Sequence, residues 1–364
     1  MSALSDVLSG TEQISLSLRS LYRLYGYTQF KMSKFEEYDL YANHKDFLVS
    51  DGVITFTDLS GKLMALKPDV TLSIVRNSRD GAGVQKLYYT ENVYRADKGS
   101  RCYKEIMQAG LECIGKVDEY CLSEVLTLAA ESLRRISENC VLDISHMGIV
   151  SAMIDALALP EQLQKQLLAF LGSKNLHELT ALCESAGAKP DALRTLLQTR
   201  GAPDEVLPKL AELGCPPEAV AQLQTLTDNL AASGLGDMLR IDFSLINDMN
   251  YYNGIVFKGF VSGVPTGVLS GGQYDRLMEK MGRTSSAIGF AVYLDALERL
   301  GEDRQEYDAD LLLLYAADAD SGALCRAVKE LTAQGIRVSA QTCVPEKFRY
   351  KKLARLDGNE VTDL

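Results

Sequence analysis

The chain has 364 residues, 46% of them hydrophobic, with no tryptophan and a formal net charge of −11. That length and apolar content suffice for more than one packed core and predict two or three domains. The acidity weighs against a nucleic-acid backbone as the main partner, because neutralising phosphates requires a basic face.

The opening residues, MSALSDVLSG, lack the basic head and long apolar run of a signal peptide. No stretch approaches the roughly 20 uninterrupted apolar residues of a membrane span. A soluble cytoplasmic protein without membrane contact is expected. Residues 12–25 carry Ile14, Leu18, Leu21 and Leu24 at helical spacing, with Gly26 as the stop. Residues 53–57 and 63–66 flank a Leu-Ser-Gly segment and predict a hairpin. Residues 86–95 and 106–114 are aromatic or β-branched runs around a charged loop, read as two antiparallel strands. Residues 117–138 predict a long amphipathic helix. From about 149 to 234 the chain turns Leu-, Ala- and Gln-rich, broken by glycines and prolines, which reads as short helices. Strand signals return at 239–243, 252–260 and 264–269. A helix at 275–280, a strand at 287–290 and a helix at 291–300 follow. The last stretch reads as strand 311–315, helix 322–334, strand 337–340 and a basic helix within 346–355. The eight cysteines form no CxxC pair, so neither a disulfide framework nor a zinc site is expected; those on apolar runs read as reduced core residues.

The expected fold class is α+β, an antiparallel sheet flanked by helices. Residues 1–148 and 236–304 build this discontinuous core, 149–235 form a helical insertion, and 305–364 a small α/β unit.

In KPDVT, residues 67–71, Asp69 and Thr71 read either as a carboxylate and a hydroxyl for an ammonium group or as caps of a helix start. Gln108 and Glu112 share one face of a predicted strand, and Ala109, Leu111 and Cys113 alternate with them. If that polar face is buried it needs partners, since each unpaired group costs about 1–3 kcal/mol. A zwitterionic ligand supplies them; a solvated sheet face is the plain alternative. Arg95 ends its strand, aimed at a phosphate or carboxylate or paired with Asp97. Tyr251 and Tyr252, on a predicted strand, project to opposite faces, so only one lines a pocket. Tyr274 follows a Gly271–Gly272 turn and either aims its hydroxyl into the same pocket or joins the core. His146 reads as structural. The basic run 347–355 is either a docking face or a solvated helix face.

Taken together, KPDVT, YRAD, KEIMQAGLE, INDMNYYNG, SGGQYD and AIGFAV occur in the order and approximate spacing of the class II histidyl-tRNA synthetase core. The chain resembles that family over residues 1–145 and 236–300. The resemblance implies a synthetase-like sheet in which Asp69, Thr71, Gln108 and Glu112 surround the α-ammonium of histidine. Tyr252 and Tyr274 would sit at the imidazole end, and Arg95 preserves one of the family's ATP-facing arginines. The other two are gone. The one ahead of the double tyrosine is Asn247, followed by Asp248; the one on the late glycine-rich helix is Ala296. The Glu-Arg-Leu at 298–300 comes about three residues too late to replace it. Losing one preorganised electrostatic group typically costs about 10²–10³ in rate, so adenylation is expected to be lost. Ser33 stands for a proline in the dimer-forming first motif, Lys104 for an arginine in the second, and the last unit is shorter than an anticodon-binding domain.

A core that keeps its histidine-facing residues and loses its ATP-facing ones resembles the regulatory subunits of ATP phosphoribosyltransferase. KPDVT in place of RPEGT, SHMG at 145–148 and GSKNLHEL at 172–179 agree with this. The resemblance implies a non-catalytic subunit that serves the short-form catalytic subunit in the first step of histidine biosynthesis and confers feedback inhibition by histidine. It implies a dimer through the core and a hetero-octamer with the catalytic partner, with no cofactor, no metal and no nucleic acid. Histidine then sits either in this pocket or at a subunit interface. An unusual histidyl-tRNA synthetase and a scaffold with a vestigial pocket are the competing expectations.

Overall fold

The computed structural model describes residues 8–44, 47–48, 52–81, 83–96, 102–173, 175–245, 251–297 and 307–364. By its contacts the chain divides into two units, Met1–Gly301 and Glu302–Leu364.

The first unit opens with helix α1 (Gly10–Leu24), started by a reciprocal capping box between Ser9 and Glu12. Leu18, Leu21 and Tyr22 bury one face, and Gly26, at φ +82°, turns the chain out of the helix. Strands β1 (Thr28–Gln29) and β2 (Phe35–Glu37), helix α2 (Tyr38–Ala42), and strands β3 (Thr55–Thr57) and β4 (Leu63–Leu66) follow. The predicted hairpin is present, and β2 adds to it to make a small antiparallel sheet. Helix α3 (Thr71–Asn77) leads to β5 (Gln85–Ala96) and β6 (Tyr103–Gly115), which pair antiparallel along their full length. Residues 97–101, Asp97 among them, lie outside the described residues. Helix α4 (Glu119–Ile136) is capped by the Asp118 carboxylate, and β7 (Cys140–His146) follows.

Residues 147–232 are helical in the main: α5 (Met147–Asp155), α6 (Glu161–Gly172), α7 (Leu176–Ser185), α8 (Asp191–Gln198), α9 (Pro203–Glu212) and α10 (Pro217–Ala232). Helices this short are stabilised by packing rather than by propensity. Their buried Leu167, Leu193, Leu210 and Leu226 join one apolar cluster with Leu111, Ile144 and Phe290 of the sheet. A two-residue strand among them, β8 (Arg200–Gly201), pairs with β9 (Leu239–Asp242). The helices thus extend the core of the first unit.

Strands β10 (Ile255–Val261) and β11 (Leu269–Gln273), helix α11 (Asp275–Lys280) and strand β12 (Ser286–Tyr293) complete the nine-stranded sheet, in the order β1-β5-β6-β12-β11-β10-β7-β9-β8. Two expectations fail here. The strand read at 264–269 begins only at Leu269, so Gly271 and Gly272 are strand residues and make no turn. A Cβ on Gly271 would stand 2.3 Å from the Gly289 carbonyl oxygen, so these glycines serve close packing inside the sheet. The helix read at 291–300 is also absent from its first residues. Ala291, Val292 and Tyr293 continue β12 by pairing with Gly110, Ala109 and Gln108, and a single 3-10 turn, Asp295–Leu297, follows. Residues 298–300 lie outside the described residues.

The second unit holds β13 (Ala309–Tyr315), α12 (Ser321–Ala333), β14 (Val338–Gln341), β15 (Tyr350–Asp357) and β16 (Glu360–Asp363), ordered β14-β13-β15-β16. The basic run read as a helix is instead largely β15, parallel to β13. Ala354 and Leu356 are buried while Lys351, Lys352 and Arg355 are exposed, a partial alternation that the dense charge hid. Cys113, Cys121, Cys183 and Cys215 are buried free thiols, whereas Cys102, Cys325 and Cys343 are exposed. Among the described residues no helix is long and apolar enough to cross a membrane, and no cluster of His, Cys, Asp and Glu is placed to hold a metal ion.

Candidate functional site

Strand alternation puts every second residue of β5, β6, β12 and β11 on one face of the large sheet. The register sets these residues in rows. Glu112 lies opposite Gly289, which lies opposite Gly272; Gly110 lies opposite Ala291, which lies opposite Ser270; Gln108 lies opposite Tyr293. The small residues of the middle rows leave a hollow in the face. The turn ahead of α3 and the tyrosines 251, 252 and 274 complete a cleft of about 570 Å³ of empty space, its open mouth included.

Glu112 is the most deeply held acid of the cleft, 2% exposed. Its Oε1 accepts from the Thr71 hydroxyl at 2.9 Å and its Oε2 from the Tyr274 hydroxyl at 2.6 Å. Burial outweighs these two bonds and pushes its carboxyl up to about 8. Gly289 makes room for it, since a Cβ there would stand 1.8 Å from Oε2. Asp69 accepts from the Leu72 N–H at 2.9 Å, so it caps α3 and lines the cleft at once. Burial raises its carboxyl too, opposed by Arg95, whose Nη2 lies 3.8 Å away. The Arg95 Nε donates to the Pro68 carbonyl oxygen at 2.8 Å, which turns the guanidinium back over the KPDVT turn.

The aromatic wall differs from its sequence reading. Tyr251 and Tyr252 precede β10 and do not belong to it, so strand alternation does not separate them. Both line the cleft, with ring centroids 4.6 Å apart, and Tyr251 also packs on Tyr274 at 5.8 Å. Burial lifts the phenols of Tyr251, Tyr274 and Tyr89 well above their usual range.

Asp69, Thr71, Arg95, Gln108, Glu112, Tyr252 and Tyr274 are thus brought to a single cleft. Sequence reasoning passed over Tyr89, Ser270, Gly289 and Tyr293, which line it as well. Tyr89 was findable, because it shares strand parity with Arg95; Gly289 was not, because its value depends on Glu112 lying opposite. Ala296 sits on the 3-10 turn after β12 and packs against the main core. Asn247 and Asp248 lie outside the described residues. His146 caps α5, its Nδ1 accepting from the Gly148 N–H at 3.1 Å while Nε2 meets Gln222 at 2.9 Å.

A family profile described as histidyl-tRNA synthetase matches residues 5–297. An ATP phosphoribosyltransferase regulatory subunit from Desulforamulus reducens is 29% identical over 353 residues, which cover 92% of this chain and 87% of that protein. A solved structure from Bacillus halodurans, described as an ATP phosphoribosyltransferase regulatory subunit/histidyl-tRNA synthetase, aligns with a TM-score of 0.78 at 25% identity, over 95% of this chain and 93% of that one. A chain of the ATP phosphoribosyl transferase complex from Thermotoga maritima shares the fold, with a TM-score of 0.63 at 19% identity over 78% of this chain and 97% of that one. This chain therefore belongs to the histidyl-tRNA synthetase family, and ATP phosphoribosyltransferase regulatory subunits are among its relatives.

Proposed function

We propose that this chain is the regulatory subunit of an ATP phosphoribosyltransferase, that histidine binds in the cleft over the large sheet, and that the chain does not adenylate it. The observation that carries this is the buried acid Glu112, whose two oxygens accept, among the described residues, from the hydroxyls of Thr71 and Tyr274. With Asp69 it forms an anionic end suited to an α-ammonium. Gln108 adds amide hydrogen-bonding groups. Arg95 lines the cleft as the cation beside Asp69, and the tyrosine wall with Tyr252 and Tyr274 suits a flat ring with polar edges. Adenylation needs fixed cations around the α-phosphate of ATP. By the resemblance to the synthetase core, Asn247 and Ala296 stand where that family carries arginines.

In this reading the chain works in the cytoplasm with a short-form catalytic subunit, self-associates through its synthetase-like core, and transmits feedback inhibition by histidine within a hetero-oligomer, a hetero-octamer by the family's pattern. It uses no cofactor and takes no nucleic-acid or membrane partner. Histidine in the cleft inhibits only if it binds one conformation of the complex more tightly than another. The test is co-expression with a short-form catalytic subunit. Activity that depends on this chain and falls with added histidine is expected, with no histidine-dependent ATP–pyrophosphate exchange by the chain alone. No gain of activity on adding the chain overturns the regulatory reading, and exchange at synthetase-like rates restores the synthetase one.

A further inference from the structure

The cleft holds two buried carboxylates and, among its described lining residues, one cation, Arg95. Arg95 is already engaged, by the Pro68 carbonyl and by Asp69. Among the described residues, the groups that meet the Glu112 carboxyl are neutral: Thr71 from α3, Tyr274 ahead of α11, Gly289 from β12. The negative charge of Asp69 and the dipoles of Tyr89 and Tyr251 also reach this space, and none of them supplies a positive charge. Two buried carboxylates with one cation do not both ionise near neutral pH, because an uncompensated buried charge is too costly. One proton stays on the pair while the cleft is empty. It stays on Glu112, the member without a cation, consistent with the upward push that burial exerts there.

We propose that an amino-acid ammonium entering this cleft drives one proton off Glu112 into solvent. The inference rests on the histidine reading above and deepens it. The ammonium brings the missing positive charge between Asp69 and Glu112. Glu112 then ionises, its proton passes to the buffer, and the Thr71 and Tyr274 hydroxyls are both free to donate to the new carboxylate. Affinity for the ligand consequently rises as pH rises through the range in which the empty cleft keeps its proton, and levels off above it. The site reads pH together with histidine, and feedback is stronger in a more alkaline cell.

Calorimetric titration of the full chain with L-histidine at about pH 7.5, run in phosphate and again in Tris, reads the proton directly, because the two buffers differ widely in protonation enthalpy. At that pH the free imidazole is almost entirely neutral and contributes little. The expected result is release of about 0.5 to 1 proton per histidine bound, reduced to near zero in Glu112→Gln, which binds more weakly. Equal saturable heats in both buffers overturn this inference and leave the histidine reading standing. Undiminished release in a folded Glu112→Gln overturns the assignment to Glu112. No saturable binding in either buffer, with no thermal shift by histidine, overturns the histidine reading itself. The wild-type pair of titrations decides the matter even if the variant fails to fold.

Discussion

Two carboxylates of this chain live in opposite surroundings. Asp310, on β13 of the second unit, accepts from the backbone N–H and the Nε of Arg337, each at 3.1 Å, and pairs with Lys351 at 3.0 Å. The hydrogen bonds from Arg337 and Lys351 hold its carboxyl far below the usual range. Glu112, on β6 of the first unit, meets two hydroxyls, and burial pushes it up to about 8. A carboxyl at a half-exposed strand end draws long basic side chains from neighbouring strands, whose heads stay near water. A carboxyl over the middle of the large sheet, beside a helix start and three tyrosines, meets no basic side chain among the described residues. The first network settles its charge within the protein. The second leaves it open, which is the condition for binding a cation from outside.

The hardest blow to this contrast is Gly289→Ala. Its Cβ would stand 1.8 Å from Glu112 Oε2 and 2.5 Å from the Leu111 carbonyl oxygen, and the latter belongs to a paired strand that does not yield. We expect histidine affinity to fall by more than about 100-fold and stability by about 1–3 kcal/mol, read by calorimetry and urea unfolding. Unchanged affinity would remove Glu112 from the site.

The pH dependence of stability follows from the same residue. In the unfolded chain Glu112 titrates near 4.5 and in the empty cleft near 8. As pH rises the unfolded state therefore loses this proton first. The stabilising contribution is complete below about 4.5 and is lost progressively up to about 8. Asp69, also raised by burial, acts in the same direction. A loss of a few kcal/mol between pH 5 and 8 is expected for the ligand-free chain. Glu112→Gln flattens most of it; parallel pH profiles for variant and wild type would contradict the burial argument.

A smaller effect comes from Tyr274→Phe, which deletes the 2.6 Å bond to Glu112 and keeps the ring. About 1 kcal/mol in histidine binding, or roughly a 5-fold loss, is expected, measured by calorimetry; a loss as large as that of Gly289→Ala would mean that the hydroxyl touches the ligand itself. Asp310→Asn is the smallest and serves as the control for the other half of the comparison. Pairs that remain partly exposed are worth about 0–1 kcal/mol, so the urea midpoint should barely move and histidine affinity not at all.

Much of the site was legible along the chain because the rules that place it are local. Alternation puts Gln108 and Glu112 on one strand face, and a helix start puts Asp69 and Thr71 side by side. The same local rules failed for Tyr251, Gly271, Gly272 and the stretch 291–293. There aromatic, glycine and alanine patterns fit several backbones, and partner strands chose among them. What the sequence by itself determined was the family and the list of polar groups. What only the tertiary structure decided was their state. Glu112 takes its hydroxyl partners from residues 41 and 162 positions away. Whether those partners are neutral or charged, and whether water reaches them, is set by which strands and loops close over the sheet. Burial without a cation is a property of that closure, and no local pattern of residues encodes it.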